Sequence, residues 1–255
     1  MTDPAFDQPA PAGIFRLGEV FGRCFMVVRR RFLPLFLVAA AFQSPLLLLP
    51  IILGLATGQG RSLATTEFYA AIPFAGAFLP RALEYITQAV LFTGLYRDMC
   101  GERNSLGESV RRGLVSLPSL ILAVPMTWIA ILLASAVFLI PGIIVFTVTA
   151  VTVQACVVEQ IGPFAAIERS ATLTSGCRWQ VFGIYLVQLL ITTFTSFPLT
   201  LILFNILPLT VLGYVDFALR TAALTFVTTL DAAIYHGLRS AKEGPATAKI
   251  AAVFD

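Results

Sequence analysis

The sequence predicts an all-α fold, a polytopic bundle of about six transmembrane helices, and three observations predict it. Of the 255 residues, 58% are hydrophobic and only 12% are charged, whereas soluble domains carry roughly 25% charged residues. A water-soluble fold of this size could not bury so much apolar surface. The apolar residues form runs close to the ~20 residues that cross a bilayer, and Lys and Arg concentrate in alternate connections between the runs.

Six apolar runs define the predicted spans. They lie near residues 32–56, 80–97, 114–140, 143–158, 179–206 and 214–238. The second and fourth runs are the shortest, and Pro141-Gly142 predicts a tight turn between the third and the fourth. We therefore expect one transmembrane domain over residues 13–244, preceded by a disordered tail, 1–12, and followed by a cytoplasmic tail, 245–255.

The distribution of basic residues predicts how the spans are oriented. With six spans, 14 of the 17 Lys and Arg residues fall on the side of the two termini, and Arg61, Arg81 and Arg220 fall on the other. Cytoplasmic loops are enriched in Lys and Arg, so both termini are predicted to be cytoplasmic and the protein to lie in the inner (plasma) membrane. The four cysteines lack the paired spacing typical of a metal site, and we expect neither disulfides nor a cofactor.

Three segments beside the spans are too polar to cross a membrane but show helical periodicity. They lie near residues 14–28, 105–117 and 162–176. The pattern predicts amphipathic elbow helices that lie in the membrane interface. In the first elbow, Arg16, Arg23 and Arg30 share one helical face, and we expect them to contact anionic lipid headgroups.

An elbow followed by two spans occurs three times, which predicts a threefold elbow-plus-hairpin repeat. Arg81 and Tyr96 lie fifteen residues apart in the first unit, and Arg220 and Tyr235 lie equally far apart in the third. The sequence therefore predicts that the first and third units have the same structure, with Arg81 equivalent to Arg220. Because each unit has two spans, the copies would share one orientation.

Two stretches and a turn resemble a known family. They are VEQIGPFAAIERS (residues 158–170), AIYHGLR (residues 233–239) and LIPGII (residues 139–144). The family is the membrane domain of glycerophosphoryl diester phosphodiesterases, together with related uncharacterised bacterial inner-membrane proteins, and the resemblance extends over roughly residues 13–244. It implies a stand-alone membrane domain, because the catalytic domain of the two-domain members has no counterpart and His236 is the only histidine.

Asp231 is the only acidic residue in the interior of the last apolar run, since Asp216 lies at its beginning. An ionisable group without a partner at that depth costs a few kcal/mol. Together with Gln88 and Gln188 of other runs, it forms a candidate intramembrane polar site. Two interpretations remain open. The acid is either a functional group that faces a wet cavity, or a structural one that is hydrogen-bonded to Thr228, Thr229 or a neighbouring helix.

Two pairs of opposite charge occur at helical spacing near the predicted extracytoplasmic ends of the second and sixth spans. They are Arg81 with Glu84 and Asp216 with Arg220. One interpretation is a small charged vestibule that contacts lipid headgroups. The other is a set of interface anchors that neutralise each other.

The chain carries no P-loop, G-x-S-x-G, H-E-x-x-H or dinucleotide-binding motif. No basic stretch is interleaved with aromatic residues on a polar background, which argues against nucleic acid as a partner. We therefore expect a non-enzymatic membrane module that contacts lipid, with anionic headgroups favoured, or a partner protein. The alternative is a small transporter or permease subunit that uses Asp231 as an intramembrane acid.

Overall fold

The computed structural model describes residues 17–56, 73–100, 106–196 and 209–244, and in these ranges the chain forms helices and no β-strand. The helices are α1 Leu17–Ala56, α2 Pro73–Met99, α3 Leu106–Val115, α4 Leu117–Val137, α5 Leu139–Thr149, α6 Thr152–Glu159, α7 Pro163–Thr174, α8 Arg178–Ser196 and α9 Leu209–Glu243. The all-α prediction is therefore confirmed for the described residues. The predicted tails, 1–12 and 245–255, and Arg16 lie outside them.

Four stretches of the described chain are long and apolar enough to cross a membrane. They are Gly18–Leu49, Leu117–Ala136, Leu139–Glu159 and Val211–Glu243. These stretches support the prediction that the chain is a membrane protein. The runs predicted near residues 80–97 and 179–206 are helical in α2 and α8, although residues 197–206 lie outside the described chain. The count of six spans stays a prediction.

Helix α9 lies at the centre of the bundle and packs against α1, α2 and α8. Its buried face carries small and hydroxylated residues, which let neighbouring helices approach closely. The hydroxyls of its four buried threonines donate to backbone carbonyls one turn earlier; these residues are Thr221, Thr225, Thr228 and Thr229. Because each hydroxyl is satisfied within its own helix, these side chains can be buried without an external partner.

Helix α1 is continuous over 40 residues, and at ~1.5 Å per residue its length is about twice the ~30 Å hydrocarbon thickness of a bilayer. The prediction of a separate first elbow near residues 14–28 is therefore wrong, because its described part, residues 17–28, is the beginning of α1. No Gly or Pro occurs between Val28 and Pro34, and the three arginines that follow Val28 are good helix formers. The change in polarity does not interrupt the backbone.

The second predicted elbow forms α3, which is separated from α4 by Ser116. Gly113 of α3 lies against the backbone of α2. A Cβ atom at this position would lie 2.8 Å from Cγ2 of Val90 and 3.0 Å from its backbone nitrogen. Glycine is therefore needed for α3 to pack this closely on α2.

The turn between α4 and α5 lies before the predicted Pro141-Gly142 turn. Phe138 is the extended residue, with φ −157° and ψ 154°, whereas Pro141 and Gly142 belong to the first turn of α5. The prediction was wrong because a proline in the first helical turn needs no amide donor, so it can begin a helix instead of ending one. Gly142 packs closely on α4, since a Cβ there would lie 2.0 Å from Oγ of Ser135.

The fourth predicted run, 143–158, is divided into two helices. The helical hydrogen-bonding pattern is interrupted between α5 and α6 at Ala150 and Val151, and we call this interruption the break. The third elbow forms α7, with Gly162 before it, Pro163 as its first residue and Gly176 after it in the left-handed region at φ 83°. The predicted start and stop signals of this helix are confirmed. Its position in a membrane interface stays a prediction.

Candidate functional site

Polar side chains lie at three levels of the bundle, and α9 passes through all three. Asp216 and Arg220 mark one end, Asp231 the middle and Glu243 the other end. At 1.5 Å per residue, Asp231 lies about 22 Å along the helix from Asp216 and about 18 Å from Glu243. Each level is completed by side chains from different neighbouring helices.

The Asp231 cluster consists of Asp231 and its hydrogen-bonding neighbours, Gln188 and Tyr185 of α8 and Gln154 of α6. Asp231 is only 7% exposed. Its Oδ1 atom and the Oε1 atoms of both glutamines are buried without a hydrogen-bond partner among the described residues. A buried acceptor left without a donor costs about 1–3 kcal/mol, so this cluster still lacks donors.

The sequence identified Asp231 and Gln188 but not the whole cluster. Gln88 is half-buried on α2 and is not a hydrogen-bonding neighbour of Asp231. Of the hydrogen-bond partners predicted for a structural Asp231, a neighbouring helix is the one observed, because the hydroxyls of Thr228 and Thr229 donate to backbone carbonyls of α9 itself. The remaining members come from α6 and α8, and no spacing in the sequence places those helices beside α9.

The break between α5 and α6 shares Tyr185 with this cluster. The Tyr185 hydroxyl donates to the carbonyl of Ala150 at 3.0 Å. Ser170 of α7 donates to the carbonyl of Val148 at 2.7 Å and accepts the N–H of Val151 at 3.2 Å. Backbone groups freed by the break are thus satisfied by α7 and α8, which is a condition for an interrupted helix at membrane depth.

A second polar level, the arginine–glutamate network, consists of Glu159, Arg169, Arg239, Glu243, Tyr96 and Tyr235. Arg169 of α7 donates from Nε to Oε1 of Glu159 at 2.9 Å and from Nη2 to Oε1 of Glu243. Burial by itself would lower the pKa of Arg169, but the hydrogen bonds to Glu243 and Glu159 raise this pKa above its ordinary value. The guanidinium therefore stays charged and joins α7 to α6 and α9.

Arg239 of α9 extends this network to α2. It donates from Nε to Oε2 of Glu243 at 2.8 Å and from Nη1 to the Tyr96 hydroxyl at 3.0 Å. Tyr235 donates to Oε1 of Glu159 at 2.8 Å, and its ring lies edge to face with Tyr96 at a centroid distance of 5.5 Å. Two arginines and two glutamates thus neutralise each other while joining four helices.

The sequence did not identify this network as a candidate site. Arg169 and Glu243 are 74 residues apart in the chain, so no local spacing indicates their ion pair. The stretches 158–170 and 233–239 contain four of its six residues, Glu159, Arg169, Tyr235 and Arg239, but nothing in the spacing of the two stretches indicates that they are in contact.

The arginines predicted to contact headgroups have different environments. Arg23 is half-buried, and its Nη1 lies 2.7 Å from Nδ1 of His236. A guanidinium only donates, so Nδ1 of His236 accepts and the imidazole is neutral. Arg23 therefore joins α1 to α9, whereas Arg30 is exposed and keeps the access that a lipid contact requires.

The third level is a pocket of about 220 Å³ between α1, α2 and α9. Both predicted charge pairs form there, with Arg81 Nη1 2.6 Å from Oε2 of Glu84 and Arg220 Nε 2.7 Å from Oδ2 of Asp216. Glu84, Asp216 and Arg220 line this pocket together with Gln43 of α1. The ion pairs thus border a cavity, which is the geometry of a charged vestibule.

Comparisons of the chain with protein-family models, with curated proteins and with solved structures found no match. The resemblance to the membrane domain of glycerophosphoryl diester phosphodiesterases therefore stays a prediction. Among the described residues, no group of three or more His, Cys, Asp and Glu side chains is placed to hold a metal ion. Function has to be inferred from the chemistry of the three polar levels and of the exposed arginines.

Proposed function

We propose that this protein is a non-enzymatic module of the inner membrane, with six spans and both termini in the cytoplasm, that binds anionic lipid headgroups at its cytoplasmic side. The observation that carries the proposal is the exposure of Arg29 and Arg30 on α1, directly before the exposed apolar side chains of Leu33 and Leu37. Guanidinium groups next to exposed leucines suit the boundary between headgroups and acyl chains.

The arginine–glutamate network supports a structural role at the cytoplasmic end. Glu159 accepts from Arg169 and Tyr235, and Glu243 accepts from Arg169 and Arg239. Each carboxylate thus already accepts hydrogen bonds from two side chains of other positions in the network, which leaves it less available to accept a proton from a substrate. These groups are better suited to hold α2, α6, α7 and α9 in one arrangement than to catalyse a reaction.

Replacing Arg29 and Arg30 with Gln tests the lipid proposal. Each basic residue near an anionic surface contributes about 1 kcal/mol, so the double variant should retain phosphatidylglycerol roughly 30-fold more weakly. Native mass spectrometry of the purified protein measures this retention, and added salt should weaken it further in the wild type. The matched control has Lys at both positions, which keeps the charge and should keep the lipid.

Two outcomes would contradict the lipid proposal. The first is unchanged retention of phosphatidylglycerol by the Gln variant. The second is an equal loss of thermal stability in anionic and in zwitterionic nanodiscs, since a lipid-contact role predicts a larger loss in the anionic ones. Either result would favour a surface that docks a partner protein.

The orientation and span number in the proposal rest on the 14 of 17 basic residues predicted on one side and on the apolar helices. Reporter fusions after Gly58 and Leu209 should report the outside, and fusions after Asn104 and Ser175 should report the inside. An inside signal after Leu209 would remove α8 from the set of spans and refute the six-span scheme.

A repeat relating α2 to α9 also belongs to the proposal. Arg81 and Arg220 each pair with an acid one turn away on the same helix, at the same pocket. Tyr96 and Tyr235 contact each other at the opposite end. Helix α1 departs from the predicted elbow-plus-hairpin unit because its elbow is continuous with its span, so the proposed equivalence is confined to α2 and α9.

A small transporter is the second candidate, and one observation favours it. The break between α5 and α6 adjoins Asp231, whose Oδ1 has no partner among the described residues. Interrupted helices form ion and substrate sites in secondary transporters. The two candidates differ in whether water reaches the cluster. In a variant without native cysteines, Gln188→Cys should resist membrane-impermeant thiol reagents if the interior is structural, whereas labelling would favour a transporter.

A further inference from the structure

The pocket between α1, α2 and α9 has no role in the anionic-lipid proposal. Gln43, at its lining, lies thirteen residues beyond Arg30 on α1, which is about 20 Å along the helix. The polar members of the lining are Gln43, Glu84, Asp216, Arg220 and Thr221, and leucines with Phe217 supply much of the apolar wall. This site is therefore separate from the arginines of α1.

The interior of the pocket offers hydrogen-bond acceptors. Gln43 is 4% exposed, and its Oε1 is buried without a partner among the described residues. Arg81 binds Oε2 of Glu84, and the carboxylate has a second oxygen with further acceptor capacity. An unpaired amide oxygen is stabilised by a donor, and the carboxylate of Glu84 in the same lining favours a donor with positive charge.

The acidic and basic side chains around the pocket lie at different depths. The side chains of Glu84 and Asp216 are 29% and 27% exposed, whereas those of Arg81 and Arg220 are 72% and 54% exposed. Negative charge therefore lies deeper than positive charge. A complementary ligand carries its cationic group inside and an anionic group at the rim.

We propose that this pocket binds a primary ammonium group joined by a short chain to a phosphate, which is the chemistry of the ethanolamine headgroup of a phospholipid. The ammonium donates to Gln43 and Glu84, and the phosphate lies beside the guanidinium of Arg220. A volume of about 220 Å³ is below the roughly 300–1,000 Å³ of pockets for drug-sized ligands. It suits a small headgroup whose acyl chains remain outside.

Methylation of the ammonium group tests the proposed hydrogen bonds. A choline headgroup has no N–H and cannot donate to Gln43, although its charge and phosphate are the same. One charge-assisted hydrogen bond corresponds to about tenfold in affinity. We therefore expect the delipidated full chain to retain phosphatidylethanolamine at least about tenfold more strongly than phosphatidylcholine with the same acyl chains, as measured by native mass spectrometry.

Variants at Gln43 separate recognition from folding. Gln43→Leu keeps the side-chain size but removes the acceptor, and should bring phosphatidylethanolamine retention down to the phosphatidylcholine level. Gln43→Glu keeps the acceptor and should preserve the preference. Gln180→Leu, at an exposed glutamine of α8, is the matched control and should leave it unchanged. Gln43→Met also removes the amide oxygen, keeps an unbranched side chain of similar length, and provides the same test if Gln43→Leu does not fold.

Soluble phosphoethanolamine distinguishes the two sources of this chemistry. Thermal stabilisation by phosphoethanolamine alone assigns the pocket to a free headgroup compound, and stabilisation by the lipid alone assigns it to a membrane phospholipid. The proposal is overturned if the wild type retains phosphatidylcholine and phosphatidylethanolamine equally. It is also overturned if the preference persists in whichever of Gln43→Leu and Gln43→Met is folded.

Discussion

Helices α4 and α9 are both apolar enough to cross a membrane, yet α4 lies at the periphery of the bundle and α9 at its centre. The span in α4 has a mean hydropathy of 2.1 with 11% of its most apolar stretch buried, whereas the span in α9 has a mean hydropathy of 1.3 with 56% buried. The exposed side of α4 carries large apolar side chains, among them Ile121, Leu122, Trp128, Ile129, Leu132 and Leu133. The less apolar helix is thus the central one.

This difference has a physical reason in the membrane environment that we propose. Lipid tails are as apolar as leucine, so burying a leucine between helices gains no hydrophobic transfer energy. Polar groups are different, because hydrocarbon offers them no partner. Asp231 and the four buried threonines of α9 therefore favour the interior, whereas α4 can face lipid.

Removing a buried side chain at the centre of the bundle should reduce the free energy of unfolding the most. Leu230 of α9 is fully buried and Leu132 of α4 is 63% exposed. We expect Leu230→Ala to reduce the free energy of unfolding by about 3 kcal/mol through the cavity it leaves, and Leu132→Ala by less than about 0.5 kcal/mol. Reversible unfolding in mixed micelles measures both. Equal losses would show that α4 packs as tightly as α9 and would break the comparison.

Removing the charge at the centre of the arginine–glutamate network should have the next largest effect. Arg169→Gln leaves Glu159 and Glu243, which are 19% and 22% exposed, without this guanidinium. Breaking a buried pair costs about 3–5 kcal/mol, and partial exposure reduces this to about 2 kcal/mol. Arg178→Gln, at an exposed arginine that begins α8, is the control. A loss below that of the control would mean that the network does not hold α9 in place.

Removing the hydroxyl of Tyr185 should reduce the free energy of unfolding by a smaller amount. Tyr185→Phe removes the donor to the carbonyl of Ala150, and the loss of one neutral hydrogen bond with a buried acceptor left behind costs about 1 kcal/mol. Tyr214→Phe, at the exposed tyrosine of α9, should be close to neutral. The same unfolding measurement applies, and a neutral Tyr185→Phe would indicate that water replaces the hydroxyl at the break.

The smallest effect is expected at the periphery, in α3, which leads into α4. Hydrogen bonds from Arg111 and Arg112 lower the pKa of Glu108 to about 2 from an ordinary value of 4.5. A lowered folded-state pKa stabilises the fold above pH 4.5 and loses this contribution as the pH falls towards 2. Because solvent reaches all three side chains, which are between 29% and 69% exposed, the contribution is small and is screened by salt.

The pH dependence of the melting temperature measures this contribution. Wild type and Glu108→Gln should differ slightly at neutral pH and converge as the pH falls through the range between 4.5 and about 2. Glu168→Gln, at an exposed glutamate of α7, provides the reference for a surface substitution. A difference that grows on acidification would show that the carboxylate of Glu108 destabilises α3.

The features that the sequence predicted correctly are local ones. Long apolar runs predicted helices, because this pattern lies within one element. The signals around α7 were equally local, with Pro163 at its start and Gly176 after its end. Each of these predictions needed a window of the chain no longer than one helix.

The features that the sequence did not predict are of two kinds. Some are contacts between distant parts of the chain, and others are helix ends without a Gly or Pro to mark them. Tyr185 reaches Ala150 across 35 residues, and periodicity carries no information about such pairs. The break at Phe138 contains neither Gly nor Pro, so the prediction moved it to Pro141-Gly142, which in fact starts α5. For α1, a change in polarity was interpreted as a change in backbone direction, although the two are independent.

The break between α5 and α6 also has a consequence for biosynthesis. Its carbonyls are satisfied by Ser170 and Tyr185, and both residues are translated after the break itself. Tyr185 follows Ala150 by 35 residues, which at roughly 5–20 residues per second means a delay of about 2–7 s. During this interval the open backbone groups would cost several kcal/mol each in hydrocarbon. In the six-span arrangement that we propose, helices α5 and α6 would therefore have to remain in a hydrated or protein-lined insertion site until α8 emerges, and α5 to α8 would enter the bilayer as one cotranslational unit.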